Sequence, residues 1–449
     1  MADIGHATER WDDLLVRFAE RDVERLLNAQ HERGLLKYDR PVCMVARPHF
    51  VGEGEYARHR QVVRVLSNAL RKARDYLVAD RAREAEHLGK FYDWIGDLVH
   101  LEPAGADHGA ITRLDAFRKT SDLNFIELNA DCPGGTDHND ALASIFADME
   151  TFRAMEMEFG LRALLLQPAM AGAFVDAWRD WGGTGAPRVA AVGWFDRIGT
   201  TADAVLHGAR PLLEHGIGSI VAVDPSALAF DGQRLTADGA PVDVVYRMML
   251  TRDVLSSLDE LGPLLAALRQ QAVCMVNPFR SELMGHKALF ALITDPDVDL
   301  GLDSTDQDII REHVPWGRLL REASSTDPGG KRIDLVAYVI ANQNDLVLKP
   351  THEAKGDGVE LGWRHSPSAW EAAIRAALES DYIVQKRVPT ERVSYPVVEP
   401  GVPSKAVYED TDPFVCRGDL AGFLTRLSEA EIVNVAKGGS VVPTFVVQG

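Results

Sequence analysis

Two short stretches, ITRLDAF (111–117) and NFIELNA (124–130), alternate apolar and polar side chains and are separated by a link containing KTSD. A period of two is that of a half-buried β-strand, and a short polar link between two such strands suits a hairpin turn. Alternation also sets directions. Arg113 and Asp115 share one face of their strand, and Glu127 and Asn129 share one face of theirs. If the strands pair, two carboxylates and an amide oxygen converge with an arginine beside them. Such hard oxygens suit magnesium, which takes one or two carboxylates and completes its octahedron with water and substrate phosphates. The neighbouring arginine can hold a phosphate oxygen or a developing negative charge. A solvated hairpin with its polar residues turned outward fits the same pattern.

The rest of the chain builds around that hairpin. Helical apolar spacing covers 7–32 and 54–88, with PVCMVARPHFV (41–51) as a strand between them. A Pro-Gly-Gly break at 133–135 leads into a predicted helix over about 139–160. From 187 the order is strand, helix, strand (RVAAVGWF, TADAVLHGARPLLEHG, SIVAVDP), with further apolar strands in 241–250 and 272–279. That alternation predicts a small α/β lobe. Helices are predicted at about 281–293, 305–323 and 331–342, and strands at 345–350 and 381–388. The tail from 420 reads as helix, short strand, glycine turn and final strand. With 449 residues and no repeat or long linker, two or three lobes interleaved in sequence are expected.

Composition narrows the partners. Apolar residues make up 46% and charged residues 26%, the balance of a soluble globular protein. Acidic side chains outnumber basic ones, 67 to 48, for a net charge of −19. That field disfavours nucleic acid and anionic membranes, so small molecules are the expected partners. An anionic nucleotide would need a local cluster of basic residues. The N-terminal stretch lacks the basic-then-apolar order of a secretion signal, and no run of 18 apolar residues exists. Cys43, Cys132, Cys274 and Cys416 are scattered without a CxxC and read as reduced thiols of a cytoplasmic protein.

Basic candidates lie in the second half of the chain. Lys349 ends the apolar strand DLVLKP and precedes Lys355-Gly356-Asp357-Gly358, a glycine loop of the kind whose backbone can approach phosphates. Lys287 sits early in ELMGHKALFALI. The strand DYIVQKRV ends in Gln385, Lys386, Arg387 and Val388, and adenine is often met by backbone groups on such a segment between apolar walls. A surface loop and a solvated helix face are the ordinary readings of the first two segments, and an edge strand explains the third equally well. Asp131, Cys132, Asp137, His138 and Asp140 match no common zinc spacing and also fit a turn and helix cap. Arg247 lies on the strand VVYRMML, and Arg426 and Asn434 precede the turn at 438–439.

Taken in order, these segments resemble the circularly permuted ATP-grasp ligases, of which the glutathionylspermidine synthetase C-terminal domain is a member. The resemblance rests on RLD (113–115) and FIELNAD (125–131), on NPFRSELMGHKALFALITD (277–295), on VLKPTHEAKGDGV (347–359) and on DYIVQKRV. Here the metal strands precede the lysines, the reverse of the unpermuted order. A departure follows the second strand, where Cys132-Pro133-Gly134-Gly135 replaces the family's threonine-proline run, and a ligase without a preceding amidase domain is expected.

The resemblance implies an α/β (α+β) ATP-grasp fold, circularly permuted, with an additional α/β substrate lobe. It divides the chain into an N-terminal helical and α/β region (1–110), a metal-binding segment (111–186), the small α/β lobe (187–276), and a nucleotide-binding lobe with a closing segment (277–449). Asp115, Glu127 and Asn129 are then expected to hold two magnesium ions on ATP, and Lys287 and Lys349 to neutralise its phosphates. Lys355, Gly356 and Gly358 would close over the phosphates, Gln385, Lys386 and Val388 would meet the adenine, and Arg113 would steady the acyl-phosphate. Arg247 and Arg426 are candidate substrate contacts. The implied activity joins a carboxylate to an amine with release of ADP and phosphate. The standalone arrangement resembles amino-acid ligases of the kind that join L-propargylglycine to the γ-carboxyl of glutamate. A peptide-elongating ligase, a non-catalytic ATP-binding module and a metal hydrolase using Asp137, His138 and Asp140 are the competing readings; oligomeric state is open.

Overall fold

The hairpin forms as its alternation requires. In the computed structural model of the chain, which describes residues 3–37, 39–101, 109–119, 122–352, 357–399, 403–431, 433 and 438–448, Ile111–Lys119 pairs antiparallel with Asp122–Asn129. Leu114 and Phe125 turn inward and are fully buried, each contributing about 1.5–3 kcal/mol by leaving water. The hairpin is one edge of a six-stranded sheet that continues through Ser404–Cys416 and Asp419–Ser428 to Ser440–Val442. Arg392–Pro396 pairs with the first half of Ser404–Cys416, beyond the hairpin.

Two further sheets flank this one. Arg188–Val192, Ser219–Val223, Val244–Arg247 and Cys274–Val276 form a four-stranded sheet whose pairings are all parallel. Val189–Val192 is buried throughout, as a strand covered on both faces must be. Gly317–Leu319, Tyr382–Lys386, Leu346–Pro350 and Glu360–Leu361 form a four-stranded antiparallel sheet. Its far face carries a separate core built on Trp316, Trp370, Val339 and Ile374.

The N-terminal region is tied to the far end of the chain. Thr444–Val447 runs between His49–Gly52 and Leu161–Ala163, parallel to the first and antiparallel to the second. The long helix Ile4–Glu32, capped by Asp3 on the His6 N–H at 3.2 Å, buries Trp11 completely. Its buried Asp22 accepts the N–H groups of Glu150 and Thr151 at 2.8 and 3.0 Å, capping the helix Glu150–Phe159. Among the described residues no helix is long and apolar enough to cross a membrane, and all four cysteines are free.

Several expectations are corrected. The predicted helix over 305–323 stops at His313, because Pro315 disfavours the helical conformation at Val314, and Gly317–Leu319 is a strand. The helix expected at the start of the tail is the strand Asp419–Ser428. Ser404–Cys416, to which no element was assigned, is a strand of 13 residues. The predicted helices over 54–88 and 139–160 each form two, Glu53–Val78 with Arg81–Ile95 and Thr136–Ala147 with Glu150–Phe159. Of the strand over 41–51, only His49–Gly52 is extended and paired across its length.

Candidate functional site

Cross-strand pairing sets the geometry of the hairpin. Arg113 lies opposite Asn129 and Asp115 opposite Glu127, with the register slipping just beyond, between Asp115 and Ala116. Arg113 Nε donates to Asp115 Oδ1 at 2.9 Å, and Asn129 Nδ2 donates to the same oxygen at 2.7 Å. The irregularity frees the Ala116 N–H, and Asp412 Oδ1 accepts it at 3.0 Å, so the bulge leaves no orphaned donor.

Asp412 belongs to the strand that the sequence pattern concealed, and it arrives with Asp410. Arg426, from the next strand, lies among the three aspartates: its Nη2 is 3.0 Å from Asp115 Oδ2, 2.8 Å from Asp410 Oδ2 and 2.6 Å from Asp412 Oδ2. Arg113 Nε adds a contact to Asp412 Oδ2 at 3.7 Å. Burial opposes the charge on Asp115, but Arg113 and Arg426 together outweigh it and hold the carboxyl at about 2. For Asp410 burial wins over Arg426, with help from the charge of Asp115, and the carboxyl is pushed up to about 7. Asp412 is raised well above the ordinary range by burial, despite Arg426, with the charges of Asp115 and Asp410 adding to the rise.

Both expected lysines reach this hairpin. Lys287 caps the short helix Ala288–Ile293, donates its backbone N–H to Thr351 at 2.9 Å, and brings Nζ within 3.5 Å of Glu127 Oε2. Lys349 lies on the wholly buried strand Leu346–Pro350, opposite Ile383 of Tyr382–Lys386. Burial, reinforced by Lys287 and partly offset by Glu127 and Asp115, lowers Lys349 to about 8. Gln385 is buried and its Nε2 donates to the Ile126 carbonyl at 3.4 Å.

These residues line one divided cleft. The smaller half, about 320 Å³, is lined by Asp115, Glu127, Lys287, Lys349 and Asp410. Apolar walls from Ile126, Val347, Leu361 and Trp363 enclose it, together with the segment Gln385, Lys386 and Val388. The larger half is about 830 Å³. Arg113, Glu127, Asn129 and Lys287 line both halves and mark their junction. Asp357 also borders both. Gly358 has φ +71°, where a Cβ would lie 2.9 Å from Pro350 Cγ and 3.0 Å from the Tyr382 hydroxyl, so only glycine fits without strain.

Arg247 does not join them. Expected as a substrate contact, it is fully buried, pairs with the Asp131 carboxylate, and donates to the carbonyls of Asn277 at 2.9 Å and Met249 at 2.6 Å. An arginine with its donors so occupied holds Asp131 and cannot meet a ligand. Arg426 borders the smaller half, with its guanidinium engaged by the three aspartates. Lys355, Gly356 and Asn434 lie outside the described residues. Asp140 accepts the N–H groups of Leu166 and Gln167 at 2.8 and 2.9 Å, anchoring the start of the helix Gln167–Asp180, which accounts for it without a metal.

Asp410 and Asp412, and Glu282, His286, His352 and Arg252 in the lining of the larger half, are not marked by any decisive pattern in the sequence. The first two stand at i and i+2 in EDTDPF, a strand-like alternation that would have drawn attention had two aspartates and a proline not argued against a strand. Among the described residues no three His, Cys, Asp or Glu side chains come together to cage a metal ion. Asp115, Glu127 and the Asn129 Oδ1 oxygen instead fit a hard divalent cation that takes part of its shell from a phosphorylated ligand.

No family model matches the sequence, and no curated protein matches it. Solved structures do. A glutathione synthetase-like effector from Globodera pallida aligns at 13% identity and a TM-score of 0.54, covering 95% of this chain and 97% of that one. A putative γ-glutamylcysteine synthetase from Methylobacillus flagellatus aligns at 12% identity, TM-score 0.42, with 89% of each chain covered. The ATP-grasp ligase PsnB, complexed with its minimal precursor, aligns at 14% identity and TM-score 0.28 over 57% of this chain and 89% of its own. The first of these likenesses is one of fold; the other two are too loose to argue from. The fold is the mixed α/β arrangement expected from the sequence.

Proposed function

We propose that this chain is an ATP-dependent carboxylate–amine ligase that joins two amino acids through an acyl-phosphate and releases ADP and phosphate. One observation carries the reading. The oxygen ligands of the hairpin and two lysines from distant segments meet where a small, apolar-walled half-cleft opens into a larger one.

In this reading the smaller half takes the nucleotide. Ile126, Val347 and Trp363 offer apolar surface to a base, and Lys287 and Lys349 face the phosphates, where their charge offsets that of the polyanion. Magnesium, when bound by Asp115, Glu127 and Asn129, supplies charge neutralisation on the phosphate oxygens. Arg426 and Arg113 keep Asp115 ionised for that duty. The donor carboxylate attacks the terminal phosphorus and ADP leaves; the amine then attacks the acyl carbon, phosphate departs, and the amine's proton passes to solvent or phosphate. Arg113, at the junction, stabilises the oxyanion formed in that second attack. No protein nucleophile is required, so catalysis is a matter of positioning and of excluding water. The loop at 355–358 is assigned to closure over the phosphates. The donor acid is assigned as the γ-carboxyl of glutamate, on the resemblance to dipeptide-forming ligases.

The test is a pairwise screen of the twenty amino acids for magnesium-dependent ADP release, with hydroxylamine added to trap the activated acid as a hydroxamate. Release of AMP, or ATP consumption without any amino acid dependence, would overturn the proposal. Glu127→Gln is expected to lower kcat about 100-fold or more with an unchanged circular dichroism spectrum; full activity in that variant would remove Glu127 from the metal set.

A further inference from the structure

The larger half of the cleft has a wall of its own, built from side chains outside the hairpin. Phe91 and Trp94 come from the helix Arg81–Ile95, and His286 and His352 face them across the cavity wall. The rings form one cluster: Trp94 and His352 centroids are 4.2 Å apart, Phe91 and His352 5.1 Å, and Phe91 and His286 5.8 Å. Burial, with Lys287 and the neighbouring His352, pushes His286 down to about 3, and burial with Lys287 and Arg252 pushes His352 down to about 4. At neutral pH both imidazoles are therefore uncharged, and the wall, whose rings meet at tilted and edge-on angles, is largely apolar.

Three polar features adjoin it, the first being Glu282, whose Oε2 lies 3.4 Å from His352 Nε2. His286 is 1% exposed, yet its Nδ1 has no hydrogen-bond partner among the described residues. A buried ring nitrogen left unmatched at a cavity wall is a costly arrangement unless a ligand completes it. Arg252 lines the same half-cleft and makes no ion pair among the described residues. By contrast Lys90 lies 3.4 Å from Asp381 and Lys287 3.5 Å from Glu127. A half-buried guanidinium lining a cleft without a carboxylate partner suits one from outside.

We propose that this half-cleft is the acceptor subsite, selecting an α-amino acid with an aromatic side chain that lies against Trp94 and His352, its carboxylate held by Arg252 and a polar group of the substrate completing His286. The assignment rests on the ligase reading above and names the substrate class of its amine. Stacking on Trp94 supplies selectivity for flat side chains, and the bidentate geometry of Arg252 orients the amine toward the junction at Arg113 and Glu127.

Calorimetric titration of the full chain with L-phenylalanine and L-alanine, in saturating magnesium and ADP, tests it. Wild type should bind L-phenylalanine about tenfold or more tighter than L-alanine. Trp94→Ala should bring the two ligands to equal affinity, and Trp94→Phe should restore most of the difference. Arg252→Ala should weaken L-phenylalanine about tenfold while leaving L-phenylalaninol, which lacks the carboxylate, unchanged. Equal binding of L-phenylalanine and L-alanine to wild type, no detectable L-phenylalanine binding, or an equal loss of L-phenylalanine and L-phenylalaninol in Arg252→Ala would overturn the inference. If Trp94→Ala fails to fold, Trp94→Phe and Arg252→Ala still decide the matter. Tight L-phenylalanine binding without any ADP release would instead sink the ligase reading alone, and ADP release driven only by acceptors without rings would sink the subsite alone.

Discussion

Arg426 lies among Asp115, Asp410 and Asp412, none of them more than 8% exposed. A buried charge cluster of this kind contributes little net stability when intact, but removal of its cation leaves carboxylates that cannot all ionise. Arg426→Met should therefore cost about 3–5 kcal/mol by urea unfolding at pH 8, and less at pH 5. The sign follows from the raised carboxyls. Asp410 is held near 7 in the folded chain against an ordinary 3.8, so the native state carries the extra proton between those values, and stability falls as pH rises through that window. The wild-type difference in unfolding free energy between pH 5 and pH 8 should shrink in Asp410→Asn. Lys349 titrates in the opposite functional sense. With its pKa lowered to about 8, it loses charge as pH rises, so the affinity for ADP should drop about tenfold between pH 7.5 and pH 9.5. A Lys349→Met variant should bind ADP weakly at both pH values, and a flat profile in wild type would show that Lys349 does not face the phosphates.

At the scale of elements, the hairpin was legible because one of its faces is polar, and alternation survives only where one face meets solvent or ligand. The tail strand shows the reverse. Leu420, Phe423, Leu424 and Leu427 fall at helical spacing, yet Asp419–Ser428 is extended, with Phe423 in one core cluster and Leu424 in another. A strand covered on both faces has no polar side to reveal its period, and the pairing that makes it a strand comes from Ser404–Cys416 on one edge and Ser440–Val442 on the other. Gly358 permits a sharper test of an element. In Gly358→Ala the left-handed backbone costs roughly 1 kcal/mol, and the new Cβ meets Pro350 and Tyr382. The loop should move while the rest of the molecule holds, so kcat/KM should fall about tenfold or more with only a small change in melting temperature. An unaltered kcat/KM would free this loop from any part in closure.

Across the whole molecule, the candidate site belongs to no single lobe. Its oxygens come from the six-stranded sheet, Lys349 and Gln385 from the four-stranded antiparallel sheet, Lys287 from the start of a short helix, and Phe91 and Trp94 of the aromatic wall from the helix Arg81–Ile95. A ligand bound across that junction stabilises every part it touches, because it binds the folded chain alone. ADP with magnesium at about 100 times its dissociation constant should therefore raise the unfolding free energy by about 2.7 kcal/mol, and ADP without magnesium by clearly less. Equal stabilisation with and without the metal would argue against an ion shared between nucleotide and hairpin.

Local patterning by itself determined the hairpin, the directions of Arg113, Asp115, Glu127 and Asn129 upon it, and the alternation of the small parallel lobe, since each follows from side-chain period within a short window. The order of the lysine segments behind the hairpin was equally legible. Tertiary structure alone decided that Lys287 and Lys349 meet that hairpin, that Arg247 is consumed in holding Asp131, and that Asp410, Asp412 and Arg426 form a charged cluster beneath Asp115. Those outcomes depend on contacts between residues hundreds of positions apart, such as the 311 separating Arg426 from Asp115. Burial and charge compensation act on distances in space, which no periodicity along the chain records.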